Sequence, residues 1–230
     1  MNKAVVFWSG GKDAAMALHK ANQIPGIEVV GLVTTFNKSK NYTSVHRIPE
    51  VVLERQARQT GLPLRKMWVN ELPDNREYEN ALSEVYTELK DEGIDTVIYG
   101  DIFLEDIKAY REGLLEKAGL QSLFPLWRTN SGSLMDEFIS SGFKALVCQV
   151  NLAVLVVEDL GKEVNSQFLA DLPAGIDPAG ENGEFHTFCF AGPVFKNPVN
   201  FKTGGNHLSR LPLNLADQKI SHTFGYIDIL

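Results

Sequence analysis

The chain has 230 residues, of which 44% are hydrophobic and 22% are charged, so it is long enough for one large domain or two small ones with a sizeable core. Its formal net charge of −7 argues against a broad nucleic-acid contact surface, which needs a basic face. The two cysteines, Cys148 and Cys189, cannot form a disulfide framework or a four-sulfur zinc site, and we expect both to be buried as small apolar residues.

Strands and helices are predicted to alternate over the first 128 residues. The apolar run AVVFW (4–8) predicts a strand covered on both faces, and DAAMALHKA (13–21) predicts the helix that follows it. A second strand (IEVVGLVTTF, 27–36), a helix that begins near Pro49 and ends at Gly61, and a third strand (LPLRKMWV, 62–69) come next.

The following helix has clear start and stop signals. Asp74 is suited to cap its N-terminus, Glu77 to complete a capping box, and Gly93 to end it. Its apolar stripe comprises Tyr78, Leu82, Val85, Tyr86 and Leu89. The run DTVIYGD (95–101) then predicts a fourth strand, and IKAYREGLLEKAG (107–119) predicts another helix. This repeated alternation favours an α/β fold with a doubly wound, mainly parallel sheet.

The pattern changes at the polar stretch RTNSGS (128–133), where we place a boundary between domains 1–128 and 129–230. Beyond it the sequence predicts a short helix (LMDEFIS, 134–140), two apolar strands (ALVCQV, 145–150, and LAVLVVE, 152–158) and a Gly/Pro-rich tail. We interpret this second part as a smaller α+β domain.

The motif WSGGKD (8–13) lies where the first strand gives way to the first helix. Parallel α/β sheets bind ligands at this edge, and a helix N-terminus there is suited to hold phosphate. Gly10 and Gly11 let the backbone approach an anion, Ser9 adds a hydroxyl, Lys12 adds a positive charge, and Asp13 is suited to hold Mg²⁺. The alternative is a tight turn in which Asp13 caps the helix and Lys12 is solvated.

Two residue pairs next to predicted elements are further candidates. His46 and Arg47 precede a helix and are suited to contact a nucleotide or a substrate carboxylate; alternatively they belong to a polar loop. Gly100 and Asp101 end the fourth strand, at the same edge of the sheet as the WSGGKD motif. Asp101 is suited to bind Mg²⁺ or the substrate, and its alternative role is to cap the following loop.

The motif GENGEFHTF (180–188) offers acid–base chemistry. If it is a strand, Glu184, His186 and Phe188 alternate onto one face, which places a carboxylate beside an imidazole. Such a pair can take a proton from an attacking ammonium or water. Glu181 lies across the Asn-Gly turn, within reach of that pair. The alternative is a hairpin with a polar outer face.

The motif SGGKD resembles the pyrophosphate-binding loop of the PP-loop ATP pyrophosphatases. The usual member has Ser after the Asp, whereas this chain has Ala14, so one hydroxyl contact to phosphate is missing. Within that superfamily the chain is similar to the diphthine–ammonia ligase (diphthamide synthase) family or a bacterial relative of it. The similarity rests on HRIPEVVLERQARQTGLPL (46–64), YGDIFLED (99–106), FPLW (124–127), and GENGEFHTF followed by GPVF (192–195).

The resemblance implies an adenine nucleotide alpha hydrolase-like domain at 1–128 that binds ATP and Mg²⁺. The loop residues would hold the β- and γ-phosphates, with Asp13 near the metal. The implied reaction adenylates a carboxylate, releases pyrophosphate and transfers ammonia to form an amide. In the family, the acid is diphthine, a modified histidine of elongation factor 2. The implied catalytic residues are Lys12, Glu181, Glu184 and His186.

Two other functions stay open at this point. The chain could be a PP-loop enzyme that acts on another acid or on tRNA, or a non-catalytic module that binds ATP or AMP. tRNA modification would need a basic face and, for thiolation, paired cysteines, and neither is visible in the sequence. A pure sensor has little use for the proton acceptors Glu181, Glu184 and His186.

The expected partners are ATP, ammonia and the acid substrate, without a membrane. The sequence shows no charged leader with an apolar signal core and no apolar run long enough to cross a bilayer, so we expect a cytoplasmic protein. It leaves open whether the chain forms a homodimer. His207 and His222 have no supporting context and are predicted to lie on the surface.

Overall fold

The computed structural model describes residues 1–71, 73–215 and 218–230, and for residues 211–215 and 218–221 it describes the backbone alone. The strands are β1 (Asn2–Phe7), β2 (Ile27–Asn37), β3 (Leu64–Val69), β4 (Thr96–Ile98), β5 (Gln121–Leu123), β6 (Lys144–Asn151), β7 (Phe185–Ala191), β8 (Thr203–Leu215) and β9 (Gln218–Ile229). The helices are α1 (Lys12–Ala21), α2 (Glu50–Thr60), α3 (Asn75–Asp91), α4 (Glu105–Ala118), α5 (Ser131–Ser140) and α6 (Ser166–Asp171).

The first sheet is parallel and confirms the predicted α/β fold. Its strand order is β3-β2-β1-β4-β5, and every neighbouring pair runs in the same direction. The chain moves outward from β1 to β3 and then returns to place β4 on the other side of β1. The carboxyl ends of β1 and β4 therefore flank the switch point at which such sheets bind ligands. The SGGKD turn follows β1, and Gly100 and Asp101 follow β4.

The second sheet is antiparallel, in the order β7-β6-β9-β8. Its buried side chains and those around α1 form one continuous apolar core, to which Leu18 of α1 and Phe188 of β7 both belong. Helix α1 contacts β1 of the first sheet and also β7 of the second. The small side chains of Ala14, Ala15 and Ala17 are all buried there, which lets the two sheets approach α1 closely. The boundary at residue 128 stays a prediction.

The prediction of a strand over LAVLVVE (152–158) is wrong. Asn151 makes a turn there: its side-chain oxygen accepts from the N–H of Ala153 at 3.0 Å. Its carbonyl accepts from the N–H groups of Val154 and Leu155, at 3.1 and 2.9 Å. An Asn side chain that bonds to nearby backbone competes with strand pairing, and an apolar composition does not reveal this.

Two features of the sheets were missed by the sequence analysis. The segment predicted as a Gly/Pro-rich tail contains the long β8–β9 hairpin, paired from Thr203↔Ile229 to Leu215↔Gln218. Glycine and proline have low strand propensity, so the local sequence does not favour a strand here. The hairpin is stabilised by the pairing of β9 with β6, which is a long-range contact. The short strand β5 was also missed, because three residues are too few to show a periodicity.

The start of α3 is predicted in part. Asp74 caps the helix, since its carboxylate accepts from the N–H of Glu77 at 2.7 Å. The second half of the capping box is wrong: the Glu77 carboxylate accepts from Asn70, at 2.8 Å from the backbone nitrogen and 2.9 Å from the side-chain nitrogen. Glu77 therefore ties the end of the β3 segment to α3. No helix in the described part of the chain is long and apolar enough to cross a membrane.

Candidate active site

A cavity of about 540 Å³, here called the sheet-edge cavity, opens at the carboxyl edge of the parallel sheet. Its walls come from β1, β2 and β4 and the residues that follow them, from the first turn of α1, from α3 and α4, and from the 43–46 loop. Gly180, Glu181, Phe185 and His186 complete the lining. The predicted site residues that line it are Ser9, Asp13, His46, Gly100, Asp101, Glu181 and His186. The fold thus brings together motifs that are far apart in the sequence.

The SGGKD turn leaves the N-terminus of α1 free of a side-chain cap. The helix begins at Lys12, and Gly11 stands at the cap position without a side chain. Gly10 has a φ of +84°, which glycine adopts without strain. The hydroxyl of Ser9 accepts from the N–H of Gly11 at 3.2 Å. The alternative in which Asp13 caps this helix does not hold, because Gly11 is the N-cap residue. Side-chain hydroxyls already accept from the N–H groups of Gly11 and Lys12, so the N–H groups of Asp13 and Ala14 are the ones available to an anion.

Lys12 and Asp13 form an ion pair beside the turn. The Lys12 ammonium lies 2.9 Å from Asp13 Oδ2, and the lysine side chain is only 3% exposed. The ammonium also lies 5.4 Å from the centroid of the Phe185 ring. The alternative interpretation required a solvated Lys12 and is wrong on this point. The side chain is a buried cation, paired with Asp13, which lines the cavity.

The turn is held from both sides by residues that the sequence analysis missed. The carbonyl of Gly10 accepts from Gln56 Nε2 at 2.8 Å and from the N–H of Cys189 at 2.9 Å. The Gln56 amide also accepts from Trp8 Nε1 and donates to the carbonyl of Cys189, both at 2.6 Å. The hydroxyl of Thr187 accepts from the N–H of Lys12 at 3.0 Å. Helix α2 and strand β7 thereby fix the shape of the turn.

We expect Gln56→Leu to lower the free energy of unfolding by about 2–4 kcal/mol, because it leaves buried donors and acceptors without partners. Gln56 is fully buried, with 0% exposure. Denaturant unfolding measures the effect. Gln59→Leu, in the same helix but with its hydrogen bonds at the surface, is the matched control and should cost less than about 1 kcal/mol. Equal effects of the two substitutions would contradict this account of the turn.

Gly100 lies against the first turn of α1. A Cβ at this position would stand 2.9 Å from both the carbonyl carbon and the carbonyl oxygen of Asp13. These are backbone atoms, so the clash cannot be relieved by a side-chain rotation. The close approach of β4 to α1 explains why a glycine precedes Asp101.

We expect Gly100→Ala to weaken ATP binding about tenfold and to destabilise the fold by about 1–3 kcal/mol, because it forces β4 away from the turn. Calorimetric titration with ATP and thermal unfolding measure the two effects. Gly113→Ala is the control: no atom lies within 4 Å of its Cβ position in α4, so it should stabilise by up to about 1 kcal/mol and leave ATP binding unchanged. Normal ATP binding by Gly100→Ala would refute the role of this contact.

Two histidine rings meet at the cavity wall. The ring centroids of His46 and His186 are 4.8 Å apart. His46 Nδ1 lies 2.8 Å from the carbonyl of Thr187, and because a carbonyl only accepts, this nitrogen carries the proton. Burial lowers the pKa of His46, and it lowers the pKa of His186 further, with added contributions from His46 and Lys12. Both rings are therefore neutral at pH 7, and burial opposes their protonation.

The expected pairing of Glu184 with His186 is wrong. The backbone of Glu184 still bonds to β6, since its carbonyl accepts from the N–H of Asn151 at 2.8 Å, but its side chain has other partners than His186. The Glu184 carboxylate turns toward the preceding loop and accepts from the N–H of Asp177 and from Asn182 Nδ2, both at 3.1 Å. Glu184 is not among the described residues that line the sheet-edge cavity, and its role in the geometry is to fasten the 177–184 loop.

Arg47 likewise lies outside the described lining of the cavity, contrary to the expectation that it contacts a ligand there. Its guanidinium carbon is 3.7 Å from the centroid of the Tyr226 ring, and its NH2 group donates to Ser209 Oγ at 3.0 Å. These contacts tie the loop that carries His46 to the β8–β9 hairpin. His207 and His222 were both predicted to lie on the surface. The side chain of His207 is 57% exposed and pairs with Asp228, whereas His222 is half-buried.

Glu181 connects the second part of the chain to the cavity. Its carboxylate accepts from the N–H of Ile102 at 2.8 Å. Burial raises the pKa of Glu181 to about 7, and the neighbouring charges of Asp13 and Asp101 add to the shift. A carboxyl group with this pKa can exchange a proton at neutral pH.

The carboxylates of the cavity fit a metal that is shared with a ligand. No group of three or more His, Cys, Asp or Glu residues in the described chain is arranged to hold a metal ion on its own. Burial raises the pKa of Asp101, opposed by Arg111 and assisted by the charge of Asp13. One or two carboxylates near an anion site are the usual protein contribution to Mg²⁺ bound with phosphates. Asp13 is suited to that role.

The parallel sheet and the position of the SGGKD turn between β1 and α1 fit the PP-loop class that the motif resembles. Comparison with family models gives two adjoining matches. Residues 2–122 match the diphthamide synthase N-terminal domain, and residues 130–229 match the diphthamide synthase C-terminal domain. The chain belongs to the diphthamide synthase family.

Curated relatives carry the name diphthine–ammonia ligase. The zebrafish (Danio rerio) protein is 29% identical over 154 residues, which cover 60% of this chain and 60% of the relative. The human protein is 29% identical over 113 residues, or 47% of this chain and 42% of the relative. The fission yeast (Schizosaccharomyces pombe) protein is 30% identical over 92 residues, or 38% and 15%. The chain therefore covers less than two thirds of the length of these relatives.

Proposed function

We propose that the protein is an ATP-dependent ligase that joins ammonia to a carboxylate and releases AMP and pyrophosphate. The observation that carries the proposal is the open N-terminus of α1, with Lys12 beside it, at a cavity that also contains Glu181 and His186. The names of the relatives support diphthine as the acid, which the family resemblance places on elongation factor 2. ATP and ammonia are the co-substrates in this proposal.

In the first step, a carboxylate oxygen of the acid attacks the α-phosphorus of ATP, and pyrophosphate leaves. The turn formed by Gly10 and Gly11 positions the start of α1, where the N–H groups of Asp13 and Ala14 and the Lys12 ammonium are suited to receive the β- and γ-phosphates and stabilise the charge on the leaving group. Mg²⁺, held by Asp13 together with phosphate oxygens, would supply further charge neutralisation. The product of this step is an acyl-adenylate.

In the second step, ammonia attacks the acyl carbon and AMP leaves with one oxygen of the original carboxylate. The attacking nitrogen must lose a proton to yield a neutral amide. Glu181, with its pKa near 7, lies in the cavity and is suited to accept that proton, and the neutral His186 ring lies in the same cavity as a hydrogen-bonding partner for the attacking nitrogen.

The products of turnover test this proposal. ATP labelled at the α-phosphate is incubated with ammonium and with elongation factor 2 that carries diphthine. AMP and pyrophosphate should form in equal amounts, one of each for every amide. Formation of ADP and orthophosphate would contradict the proposal, and AMP formation with a different acid alone would contradict the choice of diphthine.

The two alternative functions have less support. The comparisons favour neither tRNA modification nor non-catalytic nucleotide binding, since the relatives named above are ligases. The location in the cytoplasm and the formation of a homodimer stay predictions.

A further inference from the structure

Arg111 lies in the middle of α4 and was not among the predicted site residues. Its guanidinium carbon is 4.2 Å from the centroid of the Tyr99 ring, so the group is stacked on an aromatic face at the end of β4. Among the described residues that line the sheet-edge cavity, Arg111 is the only arginine or lysine. The cavity thus has a cation in its wall that is separate from the buried Lys12.

The polar atoms around Arg111 are incompletely paired. Arg111 Nε lies 3.1 Å from Asp101 Oδ2, but the N–H is not aligned for a hydrogen bond. Both atoms are buried, and neither has a hydrogen-bond partner in the part of the chain that the structure describes. Buried polar atoms nearly always have hydrogen-bond partners, and leaving one without a partner is unfavourable. A ligand that accepts hydrogen bonds from the guanidinium would remove this deficit.

The other basic residues near the cavity have different partners. Lys12 is paired with Asp13 at the turn, where phosphate is expected, and Arg47 is held by Tyr226 and Ser209. Arg111 is also next to a carboxylate, that of Asp101, but no hydrogen bond joins the two groups, so its guanidinium suits a second anion, distinct from the polyphosphate. A planar guanidinium matches a carboxylate through two parallel N–H···O hydrogen bonds.

The position of Arg111 also fits an acid that must meet the nucleotide. Asp101, its neighbour, follows Gly100, which packs directly against the backbone of Asp13 in the first turn of α1. A carboxylate at Arg111 would therefore lie near the first turn of α1, where the proposed function places the phosphates of the nucleotide. We propose that Arg111 binds the carboxylate of the acid substrate and orients it toward the nucleotide. This assignment rests on the proposed function, because it takes a carboxylic acid as the second substrate.

Kinetics of Arg111→Lys and Arg111→Gln test the assignment. With elongation factor 2 that carries diphthine, Arg111→Lys should raise the KM for the acid about tenfold, because lysine keeps the charge but not the planar pair of donors. Arg111→Gln should raise it about 30-fold. The Kd of ATP, measured by calorimetry without the acid, should stay within about twofold of wild type in both variants. Arg128→Gln, whose side chain is 75% exposed and pairs with Glu105, is the control and should change neither constant.

Each other outcome overturns the assignment in a recognisable way. Weaker ATP binding with an unchanged KM for the acid would mean that Arg111 binds the nucleotide. An unchanged KM for the acid in both variants would mean that Arg111 only supports Tyr99 and Asp101. If Arg111→Gln does not fold, Arg111→Lys decides the question, since lysine retains a cation near Tyr99. Wild-type protein that turns over no diphthine would overturn the proposed function together with this assignment, whereas an active wild type with unaffected variants overturns this assignment alone.

Discussion

Lys12→Met should lower the rate of AMP formation about 10³-fold while the protein stays folded. The ammonium of Lys12 is a buried cation fixed next to the uncapped start of α1. When pyrophosphate departs, its negative charge grows at this point, and a preorganised cation of this kind stabilises a transition state by up to about 10³-fold in rate. Methionine fills a similar volume without the charge, so the packing against Phe185 is largely kept. A quenched assay of labelled AMP measures the loss.

Lys20→Met is the matched control for this substitution. Lys20 lies in the last turn of the same helix and also pairs with a carboxylate, that of Glu137, but it is remote from the turn. Its loss should leave the rate of AMP formation within about twofold of wild type, as expected for a surface ion pair. A Lys12→Met variant that is folded and as active as Lys20→Met would remove the turn from the mechanism.

Glu181→Gln should lower kcat/KM about 10²-fold at pH 8, because it removes a proton acceptor from the cavity. The pKa of Glu181 is raised to about 7, chiefly by burial, so the carboxylate is protonated below this pH and cannot accept a proton. The wild-type rate should therefore rise with pH up to an inflection near 7. The variant should lack that inflection, and AMP formation measured from pH 5.5 to 8.5 should reveal the difference.

The raised pKa of Glu181 also makes the free energy of unfolding depend on pH. The pKa of Glu181 is about 7 in the folded protein against an ordinary value of 4.5, so the folded state binds the proton more tightly between these values. The contribution of Glu181 to the free energy of unfolding should therefore fall as the pH rises from 4.5 to about 7. Glu181→Gln should remove this contribution to the pH dependence of stability. Glu105→Gln, at an exposed carboxylate, should alter neither profile. An unchanged pH–rate profile in Glu181→Gln would exclude Glu181 as the proton acceptor.

The first sheet and its turn were predictable because their signals are local. An apolar strand, two glycines, a lysine and a helix start are adjacent in the sequence, and strand–helix alternation fixes which edge of the sheet they occupy. Gly100 and Asp101 were found for the same reason, since they directly follow a strand. These features need no knowledge of distant contacts.

The roles of Glu184 and Arg47 were not predictable, because they depend on where an element begins and what packs on it. One residue decides whether Glu184 belongs to β7, and element boundaries are not sharply encoded in a single sequence. Arg47 is directed by Tyr226, which lies far away in the chain. The periodicity of a motif shows which side chains share a face only once the element is known to exist.

Gln56 and Arg111 were missed because each looks ordinary in its own helix. Gln56 is a polar residue on the buried face of α2. A polar residue among the apolar positions of a helix was the sequence signal that could have identified it. Arg111 lies in a helix with many charged residues, and only the fold places it over Tyr99 at the end of a strand. Long-range contacts of this kind come from the sheet order, not from local propensity.

The path of a carboxylate oxygen tests the reaction most directly. Elongation factor 2 that carries diphthine labelled with ¹⁸O in its carboxylate is incubated with the protein, ATP and ammonium. The ¹⁸O content of AMP and pyrophosphate is then measured by mass spectrometry. Attack of that carboxylate on the α-phosphorus requires AMP to leave with one ¹⁸O atom and pyrophosphate to contain none. Label in orthophosphate, or AMP without label while the amide forms, would contradict an acyl-adenylate held by the turn after β1.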